Sequence, residues 1–386
     1  MIPTRRTFLQ AAAAIAAAAV LPKTPLFAED TALKGQILDQ CTIAPNETYG
    51  YNGWPTIATL PNGDLMVVTS GGREGHVCPL GRVDMYRSSD GGKTWSQRRT
   101  ILDHPADDRD AGICVTAKGT ILVTSFTSFG FADMLAEERK RRAEGKGTWS
   151  DGRFNLWSER LKPFESKEAQ EAELGCWMIR SEDGGKTWSE RYSSIVNSPH
   201  GPIQLKDGRL LYPGKILWGK EAGKLGVCES LDDGKTWRWL ADIPMLPDLP
   251  NNEFYHELHG VECNSGRIIV QIRCHAPGFD SQNLQSESED GGKTWTTAHT
   301  IGVWGIPSHL MKLADGRILM TYGHRRDPWG WQARVSADEG RSWSEPILKY
   351  TCKPTDLGYP ATAQRKDGKL VTVWYEGGNL KSALWE

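Results

Sequence analysis

Much that would settle this chain's chemistry at sight is missing from it. Its eight cysteines (Cys41, Cys78, Cys114, Cys176, Cys228, Cys263, Cys274 and Cys352) are scattered and include no C-x-x-C pair. That excludes zinc-ribbon and thioredoxin-like readings and assigns no disulfide. Neither sign of charge dominates: 46 basic residues face 48 acidic ones, a formal net charge of −2. Neither nucleic acid nor a membrane surface is therefore expected as a partner. No segment is apolar for long enough to cross a bilayer, the alanine-rich stretch from Ala11 to Leu21 being far too short. There is no H-E-x-x-H helix motif, no glycine-rich phosphate loop leading from a strand into a helix, and no G-x-S-x-G elbow. His256 and His259 stand three apart on what reads as a strand, so their side chains point to opposite faces. Neither a metal nor a cofactor is expected.

What is present begins at the N-terminus. Thr4-Arg5-Arg6-Thr7-Phe8-Leu9-Gln10 precedes the alanine run, and a short polar stretch ends near Ala28. A twin arginine, a brief apolar core and a polar exit are the parts of a twin-arginine export signal, expected over 1–28. The mature protein is then expected in the periplasm or outside the cell, with no stable membrane insertion after cleavage. Residues 29–47 read as an N-terminal segment, in part a linker.

Two interleaved repeats organise the rest. Sixteen tryptophans are unusual, and five of them end an octapeptide S-x-D-x-G-x-[TS]-W, at Ser88–Trp95, Ser181–Trp188, Ser230–Trp237, Ser288–Trp295 and Ser336–Trp343. In such a hairpin the Asp accepts backbone N–H groups, the Gly takes a left-handed conformation and the Trp covers the turn. The second repeat is a turn glycine between β-forming residues, at Gly63, Gly119, Gly208, Gly266, Gly316 and Gly368, spaced by 56, 89, 58, 50 and 52 residues. Each of the first five is followed by the octapeptide. One unit is thus an inner hairpin and an outer hairpin, a four-stranded blade, and six units predict an all-β, six-bladed propeller over 48–386. The sixth unit has no octapeptide, and the segment before Asn52 is expected to supply the strand that closes the ring. The long spacing falls in the second blade, where 130–175 reads as a partly helical insertion, either a lid or rim over the pocket or a passive surface excursion.

The innermost strands of a propeller line its axis, so residues a fixed distance before each turn glycine share one depth of the channel. Nine residues before stand Trp54, Asp110, Pro199, Glu257, Pro307 and Tyr359. A carboxylate pair and a phenol at one depth point to a polar pocket.

The octapeptide resembles the Asp-box of sialidases, where it is a structural turn away from the active site, and the resemblance runs from about residue 48 to the end. It implies a sialidase-type propeller with Tyr359, opening the sixth blade, as nucleophile and Glu257, opening the fourth, as its base. A neutral phenol suits a sialoside, whose anomeric carboxylate would repel a carboxylate nucleophile. The family's arginines, which hold that carboxylate by guanidinium forks, are matched by Arg273 and by Arg325 or Arg326. Two departures stand out. Gly53 occupies the place of the first arginine, and the run Gly71-Gly-Arg73-Glu74-Gly75-His76 follows the first inner hairpin where an acid/base Asp is usual. Arg73 is the candidate replacement guanidinium, and His76 or Asp110 the acid/base, unless the loop is a plain glycine-rich turn and Asp110 a hydroxyl-binding group. Trp54, His200 and His259 are expected to line the pocket. The resemblance implies a retaining exo-glycosidase removing a terminal, acidic sugar from a glycan. The alternatives are another glycosidase or a polysaccharide lyase on the same scaffold, or a non-catalytic carbohydrate-binding propeller.

Overall fold

A computed structural model describes residues 33–279 and 281–386. The export signal expected over 1–28 lies outside them. The described strands form six four-stranded sheets, each a meander running outward from its innermost strand. Those inner strands are Tyr51–Thr59, Asp107–Val115, Ile203–Gln204, Tyr255–Glu262, Ser308–Lys312 and Leu357–Gln364. The last blade is completed by the first described strand: Ile37–Ala44 pairs antiparallel with Asn379–Trp385, from Ile37 opposite Trp385 to Ala44 opposite Leu380. The architecture is the six-bladed propeller of the sialidase type.

Both repeats mark hairpins. The six inner-hairpin glycines all have left-handed φ between 84° and 94°, a conformation that side-chain-bearing residues enter at a cost. In the first octapeptide Asp90 Oδ1 accepts the backbone N–H groups of Lys93 and Thr94 at 3.1 and 3.0 Å, while Oδ2 accepts the Thr94 hydroxyl at 2.6 Å. The Ser88 hydroxyl bridges to Asp90 and receives the Gly92 N–H, both at 2.8 Å.

The core lies between blades. Second strands such as Leu65-Met66-Val67-Val68 are buried residue by residue because each sheet face packs on a neighbouring blade. Leu65 and Val67 meet Val371, Val373 and Leu380 of the last blade, whereas Met66 and Val68 meet Ile113, Ile121 and Val123 of the second. Each such side chain contributes roughly 1.5–3 kcal/mol on burial. The insertion folds as helices Gly130–Ala143, Asp151–Leu161 and Lys167–Glu173. Phe131, Leu135, Trp157, Leu161 and Phe164 pack with Cys78 and Ala106. Trp157 Nε1 donates to Glu74 Oε2 at 3.0 Å, and Arg153 lies 3.2 Å from the same oxygen. The helices therefore anchor the loop that carries His76. The eight cysteines are free thiols.

The octapeptide carboxylates make a testable contribution. The Thr294 hydroxyl and N–H, outweighing slight burial, hold Asp290 down at about 2. A carboxyl lowered on folding adds stability above its unfolded pKa of about 4, and that stability is lost as pH falls toward 2. Asp290→Ala should cost about 1 kcal/mol, read as a lower urea midpoint at pH 7, with the gap to wild type narrowing in acid.

Candidate active site

On a regular strand neighbouring side chains alternate between faces, and the pocket is built by breaking that rule. Trp54, Asp110, Glu257 and Tyr359 have φ of 53°, 54°, 47° and 56°, left-handed values uncommon outside glycine. Each lies where its strand carries one residue more than its partner, between Gly53 and Thr56, Arg109 and Gly112, His256 and Leu258, and Gly358 and Ala361. The same bulge recurs at the same depth in four blades.

Glu257 and Tyr359, 102 positions apart, meet there: the Tyr359 hydroxyl donates to Glu257 Oε1 in a short hydrogen bond. A single guanidinium nitrogen of Arg273 lies 2.7 Å from each Glu257 oxygen and 3.1 Å from the Tyr359 hydroxyl. Burial alone would raise the Glu257 carboxyl, but the Arg273 charge prevails and holds it at about 2. Burial and the Glu257 charge push the Tyr359 phenol well above its ordinary value. The shared proton therefore rests on the phenol. Arg325 sits 5.8 Å over the Tyr359 ring, with its Nε donating to Leu357 O at 2.7 Å.

Asp110 faces Glu257 across a cavity of about 100 Å3 that Phe126, Asn197, Lys215 and His256 also line. Burial, with some repulsion from Glu257 and against the pull of Arg109, raises its carboxyl to about 7. Trp54 closes another side, its ring 6.4 Å from Tyr359 and 5.0 Å from His76.

Three candidates are placed differently from expectation. Arg73 is not open to a ligand. Its side chain is fully buried and forks onto Asp107 at 2.6 and 2.9 Å. Its other N–H groups go to the carbonyls of Gly75, Asp108 and His76, so all five donors are used. Arg326 turns away to stack on Trp304 at 4.0 Å, leaving Arg325 at the tyrosine. His76 is held neutral at about 4 by burial and by the charges of Arg109 and Arg73. Its Nε2 lies 3.2 Å from Arg109, which can only donate, so Nε2 accepts and is not free to protonate a leaving group. His200 packs 6.3 Å from Tyr359, while His259 stacks with His309 at 4.5 Å.

Sequence reasoning missed Arg109, Asp356, Tyr51 and Tyr375. Arg109 lies 4.7 Å over the Trp54 ring beside His76. It adjoins the ring position Asp110, but strict alternation would send it to the opposite face. Asp356 accepts the hydroxyls of Tyr51 at 2.7 Å and Tyr375 at 3.0 Å. The Tyr51 ring fills the space next to Gly53, 3.0 Å from where a Cβ would stand, so an aromatic wall occupies the place of the absent arginine. Among the described residues no group of three or more His, Cys, Asp or Glu is arranged to hold a metal ion, and no helix is long and apolar enough to cross a membrane.

Blades, repeats and axial pocket together define a propeller of the sialidase superfamily. The BNR repeat-like domain family matches residues 130–372, and a BNR/Asp-box repeat matches 86–97. The chain belongs to the BNR repeat-like domain family. It is similar to a sialidase of Bacteroides fragilis, 24% identical over 321 residues, covering 76% of this chain and 54% of that protein. A sialidase of Micromonospora viridifaciens is 22% identical over 373 residues, covering 88% and 52%. The chain thus spans about half the length of these relatives. Among solved structures, a protein of unknown function from Dyadobacter fermentans superposes with a TM-score of 0.68 at 23% identity, over 91% of this chain and 98% of that one. A Hadza microbial sialidase gives 0.65 at 18%, over 90% and 68%.

The buried pair carries its own test. Asp107→Ala strands the Arg73 guanidinium without its counter-charge and should cost about 3–5 kcal/mol, measured by denaturant unfolding.

Proposed function

We propose that the chain is a retaining exo-glycosidase of the sialidase type, releasing a terminal acidic sugar from a glycan. The observation that carries this reading is the Tyr359 hydroxyl donating to Glu257 beneath Arg273. In the first step the Tyr359 proton passes to Glu257 while the phenolic oxygen attacks the anomeric carbon. Asp110, protonated up to about pH 7, gives its proton to the departing glycosidic oxygen. In the second step Asp110 takes a proton from water, the hydroxide oxygen displaces Tyr359, and the phenol regains its proton from Glu257. A neutral nucleophile is not repelled by a substrate carboxylate, and Arg109, Arg273 and Arg325 supply the positive charge to hold one.

A glycosidase for a sugar with a different charge pattern is the second reading, favoured by Asp356 between Tyr51 and Tyr375 beside Gly53. Export to the periplasm or beyond by the twin-arginine route belongs to the proposal. Arg5→Lys with Arg6→Lys should leave the protein in the cytoplasm on cell fractionation.

Release of 4-methylumbelliferone from its α-sialoside and from a panel of other glycosides separates the two readings. Tyr359→Phe and Glu257→Gln should each lower kcat by about 10²–10⁴-fold, and undiminished turnover in both would remove the pair from the chemistry. The kcat/KM profile should fall as pH rises through about 7, where Asp110 loses its proton, and Asp110→Asn should abolish that limb. Arg109→Gln should raise KM for an acidic sugar far more than for a neutral one.

A further inference from the structure

The channel does not end at Tyr359. Just below the pocket ring, His200 of the third blade, His259 of the fourth and His309 of the fifth converge, with ring centroids 4.5, 5.1 and 5.6 Å apart. They are only 1%, 5% and 7% exposed, and no step of the sugar chemistry uses them. On their far side His259 and His309 line a cavity of about 510 Å3 that opens among the inner strands toward the hairpins. Its charged lining residues are Lys206, Lys312 and Glu262.

Backbone hydrogen bonds fix two tautomers. The Leu310 N–H donates to His259 Nδ1 at 2.9 Å, and the Thr362 N–H to His309 Nδ1 at 3.4 Å. An amide cannot accept, so each Nδ1 holds its lone pair and the proton of the neutral ring lies on Nε2. An Nε2–H cannot ligate a cation; it asks for an acceptor. Both ring nitrogens of His200 are buried and lack a partner among the described residues, a deficit worth about 1–3 kcal/mol for an unmet donor. The surrounding charge agrees. Glu262 accepts the Lys206 N–H at 2.7 Å, and the Lys206 ammonium goes to the carbonyls of Cys263 and Asn264. That leaves Lys312 as the lining ammonium without a hydrogen bond or ion pair among the described residues, and the Glu257 charge reaches His200 from the pocket side.

We propose that the axial channel behind the sugar pocket is a second binding site, for a small oxyanion, held by the Nε2–H groups of His259 and His309 together with His200. Burial keeps the cluster neutral, aided at His259 and His309 by repulsion from neighbouring rings and opposed at His200 by the Glu257 charge: His259 and His309 lie well below the ordinary histidine value, and His200 is at about 4. His259 and His309 stay neutral donors, because each Nδ1 accepts a backbone N–H, whereas a bound anion raises His200, both of whose ring nitrogens can carry protons, so binding takes up a proton there and tightens as pH falls.

Sulfate is the probe, because its charge is constant from pH 5.5 to 8. Titration of the full chain, followed by calorimetry and by imidazole nitrogen NMR, should show Nε2–H tautomers in the free protein and saturable shifts of the His259 and His309 signals. Affinity should rise by up to about tenfold per pH unit as pH falls, the slope set by the one proton taken up at His200. Binding at these signals should survive Arg109→Gln with Arg325→Gln, which removes a competing anion site in the sugar pocket, and vanish in His259→Phe with His309→Phe. If the histidine variant does not fold, the wild-type NMR titration decides. Imidazole signals unmoved by sulfate, Nδ1–H tautomers, or zinc binding at these rings in place of sulfate would each overturn the proposal. Loss of glycosidase activity has no bearing on any of these readouts.

Discussion

The pocket exists because four non-glycine residues are held in left-handed backbone conformation at one level of the ring. Each such residue costs about 1–3 kcal/mol, and the strain persists because the flanking strands are paired on both sides of the bulge and packed between neighbouring blades. The return is directional. Trp54, Asp110, Glu257 and Tyr359 are brought to one space from four separate blades, and the extra residue in each strand lets a neighbour such as Arg109 share it.

Electrostatics then sorts the groups. Arg273 touches both members of the Tyr–Glu pair and stabilises the carboxylate more than the phenolate, so the resting proton has one place to be. Asp110 is left in a poorly solvated corner without a hydrogen bond from the described residues, and its carboxyl rises accordingly. Two carboxyls a short cavity apart are thereby driven in opposite directions, the condition for one to act as acid while the other stays ionised. The guanidinium groups divide in a similar way. Arg73 spends every donor on the Asp107 carboxylate, the Asp108 carbonyl and its own loop, and Arg109 stacks over the Trp54 ring.

The blades were legible because a repeat states its own period: five octapeptides and six turn glycines count the sheets without knowledge of any contact. Counting back from those glycines also found the ring, since the bulge falls at a constant distance from the turn. The same count failed for Arg109, because alternation assigns adjacent residues to opposite faces and nothing local in Asp107-Asp-Arg109-Asp110 announces the break. It failed for Arg73 because its partner Asp107 lies in the next blade, and an ion pair across blades leaves no spacing to read. His76 looked like a proton donor from its residue type alone, and the neighbouring guanidinium that silences it was the unseen Arg109.

The pairing of Ile37–Ala44 with Asn379–Trp385 joins the two ends of the described chain in one sheet. The entropy of closing so long a loop grows only with the logarithm of its length, so the seam is inexpensive at equilibrium yet slow to find. Ile37–Ala44 must wait for Asn379–Trp385, which is made more than three hundred residues later. Until the C-terminal strand is synthesised, an unpaired edge persists on a nearly finished ring, open to another chain with the same need. Assembly of this propeller is consequently most exposed to domain exchange and aggregation while that seam is open, and whatever shields Ile37–Ala44 during that interval governs its yield.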